Sequence, residues 1–131
     1  MKGFSLMELM ASMAIVGILA AVAVPSFIDY SRKGNRSDGL SSLLSIRLAQ
    51  EKWRSTRTSY TATLGSGGLS FPASSDLGHY TLSITAANAT SFTATATATG
   101  NQADDTDCAV ISINQSGPIA NTAQEKECWG Q

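Results

Sequence analysis

Residues 4–28 read FSLMELMASMAIVGILAAVAVPSFI, and the twenty positions from Leu9 to Ile28 carry no charge. As a helix, those residues would measure about 30 Å, the thickness of a bilayer's hydrocarbon core. A secretory signal peptide is the first competitor, with a shorter apolar core followed by a small-residue cleavage site. Ala20-Ala21-Val22-Ala23 has that composition, yet the uncharged run continues through Val24, Pro25, Phe27 and Ile28. No cysteine stands directly after the run, which excludes a lipoprotein. The stretch predicts a membrane span that stays with the protein.

Glu8 does not fit a plain anchor. An unpaired carboxylate costs on the order of 2–3 kcal/mol in hydrocarbon, and less near the interface. Two readings follow. Either Glu8 lies at headgroup level and caps the helix N-terminus, which favours negative charge, or it finds a cation inside the membrane when subunits assemble. Orientation is contradictory on charge alone. Lys2 precedes the span while Arg32, Lys33 and Arg36 follow it, which would put the remainder in the cytoplasm. A disulfide would require the opposite side.

The whole chain, 131 residues, has room for one domain beyond such a span. Nine Lys and Arg against ten Asp and Glu give a net charge of -1, which excludes a generally basic nucleic-acid binder. The single histidine, His79, excludes a His-based metal cage and most Ser-His-Asp schemes. Cys108 and Cys128 allow one disulfide and form no CxxC motif.

Met-Lys-Gly followed by Phe-Ser-Leu-Met-Glu resembles the class III leader of type IV pilins and type II secretion pseudopilins, over roughly residues 2–33. The resemblance implies that Gly3 precedes the prepilin peptidase cut and that Phe4 becomes the N-methylated first residue. It implies that Glu8 pairs with the N-terminal amine of an adjacent subunit. Gly17 and Pro25 match the pair between which filament helices unwind, and Pro inside a helix costs about 3 kcal/mol. The leader would remain cytoplasmic while everything after the span faces the periplasm. Ser5 and Met7 replace the commoner Thr and Ile. The implied partners are other pilin subunits, the peptidase, an inner-membrane assembly platform with its ATPase, and membrane lipid before assembly. No cofactor is implied.

Beyond the span, residues 37–57 read SDGLSSLLSIRLAQEKWRSTR, with Leu40, Leu44 and Leu48 at i, i+4 and i+8 and Leu43 beside them. That spacing predicts an amphipathic helix whose leucine stripe is core, with Ile46 and Trp53 off the stripe helping to cover the head. Asn35 and Gly39 weaken the junction without forbidding a continuous helix. From Arg32 to Arg57 the segment carries net +5, and from Tyr60 onward the chain carries -5. These regions could pair subunit to subunit, or be solvated charge with headgroup contacts from Arg32 to Arg36. Residues 58–78, rich in Gly, Ser, Thr and Ala, read as a connecting loop.

Three runs then alternate with period two: His79–Thr85, Ser91–Thr97 and Cys108–Asn114. Their apolar faces are Tyr80, Leu82 and Ile84, then Phe92, Ala94 and Ala96, then Ala109, Ile111 and Ile113. Ala86–Thr90 reads as a short turn and Gly100–Asp107 as a longer polar one. The expected fold is α+β, a long N-terminal helix packed on an antiparallel sheet of three to four strands. The expected divisions are a leader at 1–3, a transmembrane and fibre-core helix at 4–28, its amphipathic continuation at 29–57, and a head at 58–131. A Cys108–Cys128 bridge would stabilise so small a head by roughly 3 kcal/mol. The resemblance supports that pairing, since many pilins close a C-terminal loop with their last two cysteines. The ending Cys128-Trp129-Gly130 is similar to PilE-type minor pilins.

No constellation points to an enzyme. His79 reads as a strand-edge polar residue. Asp104, Asp105 and Asp107 lack EF-hand spacing and read as a solvated turn, with no metal expected. Asn88-Ala89-Thr90 and Asn114-Gln115-Ser116 are formal glycosylation sequons. The expected function is a structural subunit of a type IV pilus, a minor pilin within or priming the fibre. It would support assembly, twitching motility and adhesion, first in the bacterial inner membrane and then in the extracellular fibre. A type II secretion pseudopilin is the first alternative. A DNA-uptake pilin of the competence machinery is the second. The negative head opposes phosphate binding, and only Arg54, Arg57 and Lys126 could assemble a patch near it.

Overall fold

The computed structural model describes residues 3–131; Met1 and Lys2, two of the three residues expected to form a leader, lie outside the described residues. The chain forms two compact units, one ending at Gly34 and the other running from Asn35 to Gln131. Helix α1 spans Leu6–Arg54 and is unbroken through Pro25. Its apolar part is long enough to cross a membrane, with a window of mean hydropathy 2.2 of which nothing is buried.

In the second unit, α1 contributes a buried face of Arg36, Asp38, Gly39, Ser42, Leu43, Ile46 and Gln50. This corrects the leucine stripe. Leu40 is half-buried, but Leu44 and Leu48 are 49% and 73% exposed, whereas Leu43 and Ile46 are wholly buried. The physical reason lies in the polar members of the buried face, each of which brings its own partner. Gln50 donates from Nε2 to the Thr61 carbonyl (2.7 Å) and accepts at Oε1 from the Thr61 N–H (3.2 Å). Ser42 donates to the Asp38 carbonyl one turn back (2.8 Å). A satisfied polar group loses little on burial, so polarity alone does not mark the solvent side. Gly39 allows the closest approach, because a Cβ there would stand 3.0 Å from the Tyr80 ring.

The sheet is an antiparallel meander of β1 (Tyr80–Ala87), β2 (Phe92–Ala98), β3 (Val110–Asn114) and β4 (Gly117–Pro118), in that spatial order. The alternation is realised at Tyr80, Leu82, Phe92, Ala94, Ala96, Ile111 and Ile113, which are buried with Leu43 and Ile46 in one core, while Ile84 is only partly buried there. The third strand starts later than expected, at Val110, because Cys108 closes a 3₁₀ turn and Ala109 keeps helical backbone angles after it, so Ala109 is not an inward strand residue. Central β2 presents alanines to that core, with Ala96 between Leu82 and Ile111 and Ala94 opposite Ile113. The outward positions hold hydroxyls, and Ser83 and Thr95 share a hydrogen bond of 2.8 Å across the strands.

The first turn is shorter than expected, since Ala86 and Ala87 remain in β1 after a register shift. Asn88 closes it by accepting at Oδ1 from the N–H groups of Thr90 and Ser91, both at 2.8 Å. In the connecting loop, Gly68 must be glycine because a Cβ would fall 1.9 Å from the Thr63 carbonyl oxygen. Between β2 and β3 the chain makes two 3₁₀ turns, Gly100–Asp104 and Thr106–Cys108. A short second helix, α2 (Ala123–Cys128), was not anticipated. It starts with a capping box: Thr122 Oγ1 accepts from the Glu125 N–H, and the Glu125 carboxylate accepts from the Thr122 N–H.

Candidate functional site

The N-terminal candidates lie together at the start of α1. Phe4 is 85% exposed and precedes Ser5, whose carbonyl accepts from the Glu8 and Leu9 N–H groups at 3.1 and 3.2 Å. Glu8 is the third residue of the helix, and its Oε2 accepts from the Ser5 N–H at 3.5 Å. The carboxylate thus sits over the positive pole of the helix within its own subunit, in the position of a cap. Gly17 lies within the helix with nothing within 4 Å of the place a Cβ would occupy. Pro25 is also inside it, and proline supplies no N–H to the carbonyl four residues back. Ser26 Oγ donates to the Val22 carbonyl at 3.1 Å, a side-chain bond one turn back beside the proline.

The head contains a polar cluster that the sequence did not disclose. The guanidinium of Arg36 donates from Nε and Nη2 to both carboxylate oxygens of Asp105, at 2.7 and 2.8 Å, and both residues are buried. Asp105 is therefore not part of a solvated turn, and Arg36 is engaged within its own chain. The hydrogen bonds it donates to Asp105 raise the Arg36 pKa above its ordinary value, against the opposing effect of burial. Gln102 Nε2 donates to Asp105 (3.1 Å) and to the Tyr80 hydroxyl oxygen (3.2 Å). Burial pushes the Tyr80 phenol above its ordinary range.

Asp38 organises the entry to β1. It accepts from Ser75 Oγ (2.6 Å), the Leu77 N–H (3.1 Å) and the His79 N–H (3.2 Å). Burial works the other way, but these hydrogen bonds hold its carboxyl below the usual aspartate range. His79 thus contributes its backbone at the strand entry.

Cys108 and Cys128 form the disulfide, with Cα atoms 5.7 Å apart. Both sulfurs lie in the core, so the bridge ties α2 to the turn before β3. Of the three cations considered as a patch, Arg54 and Arg57 are joined, since Arg54 Nη1 donates to the Arg57 carbonyl at 2.7 Å. Lys126 lies on α2, which packs on the Thr106–Cys108 turn beside Asp105, the partner of Arg36. Arg36 and Arg54 are eighteen residues apart on one helix, about 27 Å. Lys126 therefore belongs to the other end of the head.

Comparison with known proteins places these features. Residues 1–24 match the family described as "Prokaryotic N-terminal methylation motif". Residues 25–112 match the family described as "Type IV minor pilin ComP, DNA uptake sequence receptor". A type IV major pilin protein, PilE1 of Neisseria gonorrhoeae, is 40% identical over 93 residues, covering 66% of this chain and 40% of that protein. The major pilin PilA of Myxococcus xanthus is 38% identical over 60 residues, covering 46% of this chain and 27% of its own length. The major fimbrial protein FimA of Dichelobacter nodosus is 47% identical over 51 residues, with coverages of 37% and 32%. The aligned part thus spans no more than 40% of any of these three relatives. An N-terminal methylation motif on an exposed apolar helix, followed by a family match from Pro25 through the rest of α1, β1, β2 and the start of β3, establishes that the chain belongs to the type IV pilins.

Proposed function

We propose that the chain is a structural subunit of a type IV pilus, incorporated at low copy as a minor pilin or in a complex that primes the fibre. One observation carries this reading: the apolar part of α1 is exposed throughout, whereas the head closes a core of its own. Such a helix requires lipid before assembly and other apolar helices after it. Prepilin peptidase cuts after Gly3 and frees the amine of Phe4, which is N-methylated. Glu8 exchanges its own N-terminal cap for the amine of an adjacent subunit, an attraction strengthened by the low dielectric. Gly17 and Pro25 mark the stretch that unwinds in the fibre. Assembly draws on the inner-membrane platform, and extension and retraction support twitching motility and adhesion. The small head and the match to a family of minor pilins support the minor role.

Intact-mass spectrometry of fibres sheared from cells tests this reading. The expected species starts at methylated Phe4, lacks the two hydrogens lost to the disulfide, and is scarce beside the major pilin. A dominant amount would make it the major pilin. Absence from fibres, with mature protein in the inner membrane, would favour the type II secretion pseudopilin.

A second reading is DNA reception during uptake. The description of the family matched over residues 25–112 supports it, while the net -5 beyond Tyr60 opposes it.

A further inference from the structure

Trp129 caps the C-terminus of α2, and its ring packs against the core of the head. Its indole Nε1–H is buried, yet no acceptor lies within hydrogen-bond reach of it among the described residues. A buried tryptophan N–H ordinarily has a partner, because leaving it without one costs the desolvation of the group. A crevice of about 20 Å³ lies between α2 and β3, lined by Trp129, Ser112, Glu125 and Ile119 among others. One water needs about 10–15 Å³ of such space. Small-ligand sites begin at about 300 Å³. Size therefore selects a single water.

Holding a water takes two to four polar partners as well as room. Glu125 Oε2 accepts from the Thr122 and Asn121 N–H groups at 2.9 and 2.7 Å. Those bonds hold the Glu125 carboxyl below the usual glutamate range, so at neutral pH it is an acceptor with lone pairs beyond these two contacts. The indole is a donor only, and the Ser112 hydroxyl both donates and accepts. One donor, one acceptor and one hydroxyl are the complement of a water molecule. The crevice brings one carboxylate and no second acid, and no group of metal-ligating side chains occurs among the described residues. We propose that this crevice binds one ordered water, which accepts from Trp129 Nε1–H, donates to the Glu125 carboxylate and shares a hydrogen bond with Ser112 Oγ. The water fastens the C-terminal segment to the sheet where β4 offers only two residues of pairing. The Cys108–Cys128 bridge ties α2 to the turn before β3, and the water ties the same helix to the strand itself.

The test is water-selective NOE and ROE spectroscopy of the full-length, nitrogen-15-labelled protein in detergent. The chain has two tryptophans, Trp53 and Trp129, so Trp53→Phe assigns the indole signals. The Trp129 indole proton should show a water cross-peak of opposite sign in the two spectra, the mark of a long-lived neighbour. Ser112→Val keeps a strand-forming residue while filling the gap, and should abolish that peak. Ser112→Ala removes one partner without adding bulk, and should weaken it several-fold. A wild-type indole proton with no water peak would overturn the proposal. So would a peak of the same sign in both spectra, which reports exchange with bulk solvent. A peak that survives Ser112→Val at full intensity, with the amide spectrum of the sheet unchanged, would place the water elsewhere and overturn the assignment. If Ser112→Val disturbs that amide spectrum, Ser112→Ala decides, and an undiminished peak in it overturns the assignment equally.

Discussion

One helix is built on two opposite plans. Up to about residue 30, α1 presents apolar side chains to its surroundings: Leu9, Met13, Val16, Leu19 and Phe27 are all more than half exposed. From Arg36 to Gln50 the same helix buries Arg36, Asp38, Ser42 and Gln50 and leaves Leu44 and Leu48 outside. The first plan leaves apolar area to be covered by something other than this subunit. The second satisfies polar groups within the subunit. Burial in a subunit that assembles is therefore not predicted by polarity, but by where each group finds its partner.

The largest expected effect is on the first plan. Glu8→Val should leave cleavage after Gly3 intact while removing most of the chain from sheared fibres, as quantified by mass spectrometry. If the variant enters fibres at the wild-type ratio, the charge-pairing role of Glu8 is wrong and its N-terminal cap is its whole function.

On the second plan, breaking the Arg36–Asp105 pair from one side should cost about 3–5 kcal/mol, because a buried charge is left unpaired. Thermal unfolding of the detergent-solubilised chain would measure this for Asp105→Ala. Replacing both partners, as in Arg36→Met with Asp105→Leu, should recover most of the loss. A double variant as unstable as the single one would show that the pair organises the Gly100–Cys108 segment rather than merely neutralising itself.

Asp38 should contribute less, about 1.5–3 kcal/mol through its accepted hydrogen bonds, and it sets a pH dependence. Its folded carboxyl is held below the ordinary range, so the unfolded chain takes up that proton first. Its contribution is complete above the ordinary aspartate range, shrinks as pH falls through that range, and is gone below the lowered folded value. Asp38→Asn should destabilise the head at neutral pH and flatten its loss of stability on acidification. Melts with the same acid slope in both proteins would assign that slope to other carboxylates.

The legible parts of the molecule are those specified by local periodicity. The span, the three main strands and most of their inward residues follow from charge-free length and period-two alternation, neither of which needs a distant partner. The Arg36–Asp105 pair, 69 residues apart, and the Asp38 hub, with partners about 40 residues on, have no local signature. Asp105 stands among other acids in a polar run, and nothing in that run distinguishes it from solvated neighbours. The capping box of α2 was legible in principle, as Thr122 followed three residues later by Glu125, but the helix it starts is too short for hydrophobic periodicity to show.

Leu48 gives the smallest effect on the fold and, set against Leu43, the most direct test of the contrast. Leu43→Ala removes a wholly buried side chain and should cost about 2–5 kcal/mol. Leu48→Ala, on a side chain 73% exposed, should change head stability by no more than about 0.5 kcal/mol. A core stripe of Leu40, Leu44 and Leu48 with Leu43 beside it would make both substitutions costly, so one pair of melting curves separates the two arrangements. If Leu48→Ala proves silent in the melt but lowers incorporation into fibres, the apolar plan of the first half of α1 extends outward along the second, with the head's polar anchors freeing those leucines for a neighbouring subunit. If it is silent in both, the outward leucines are ordinary exposed surface, and the change of plan along α1 is complete before Leu44.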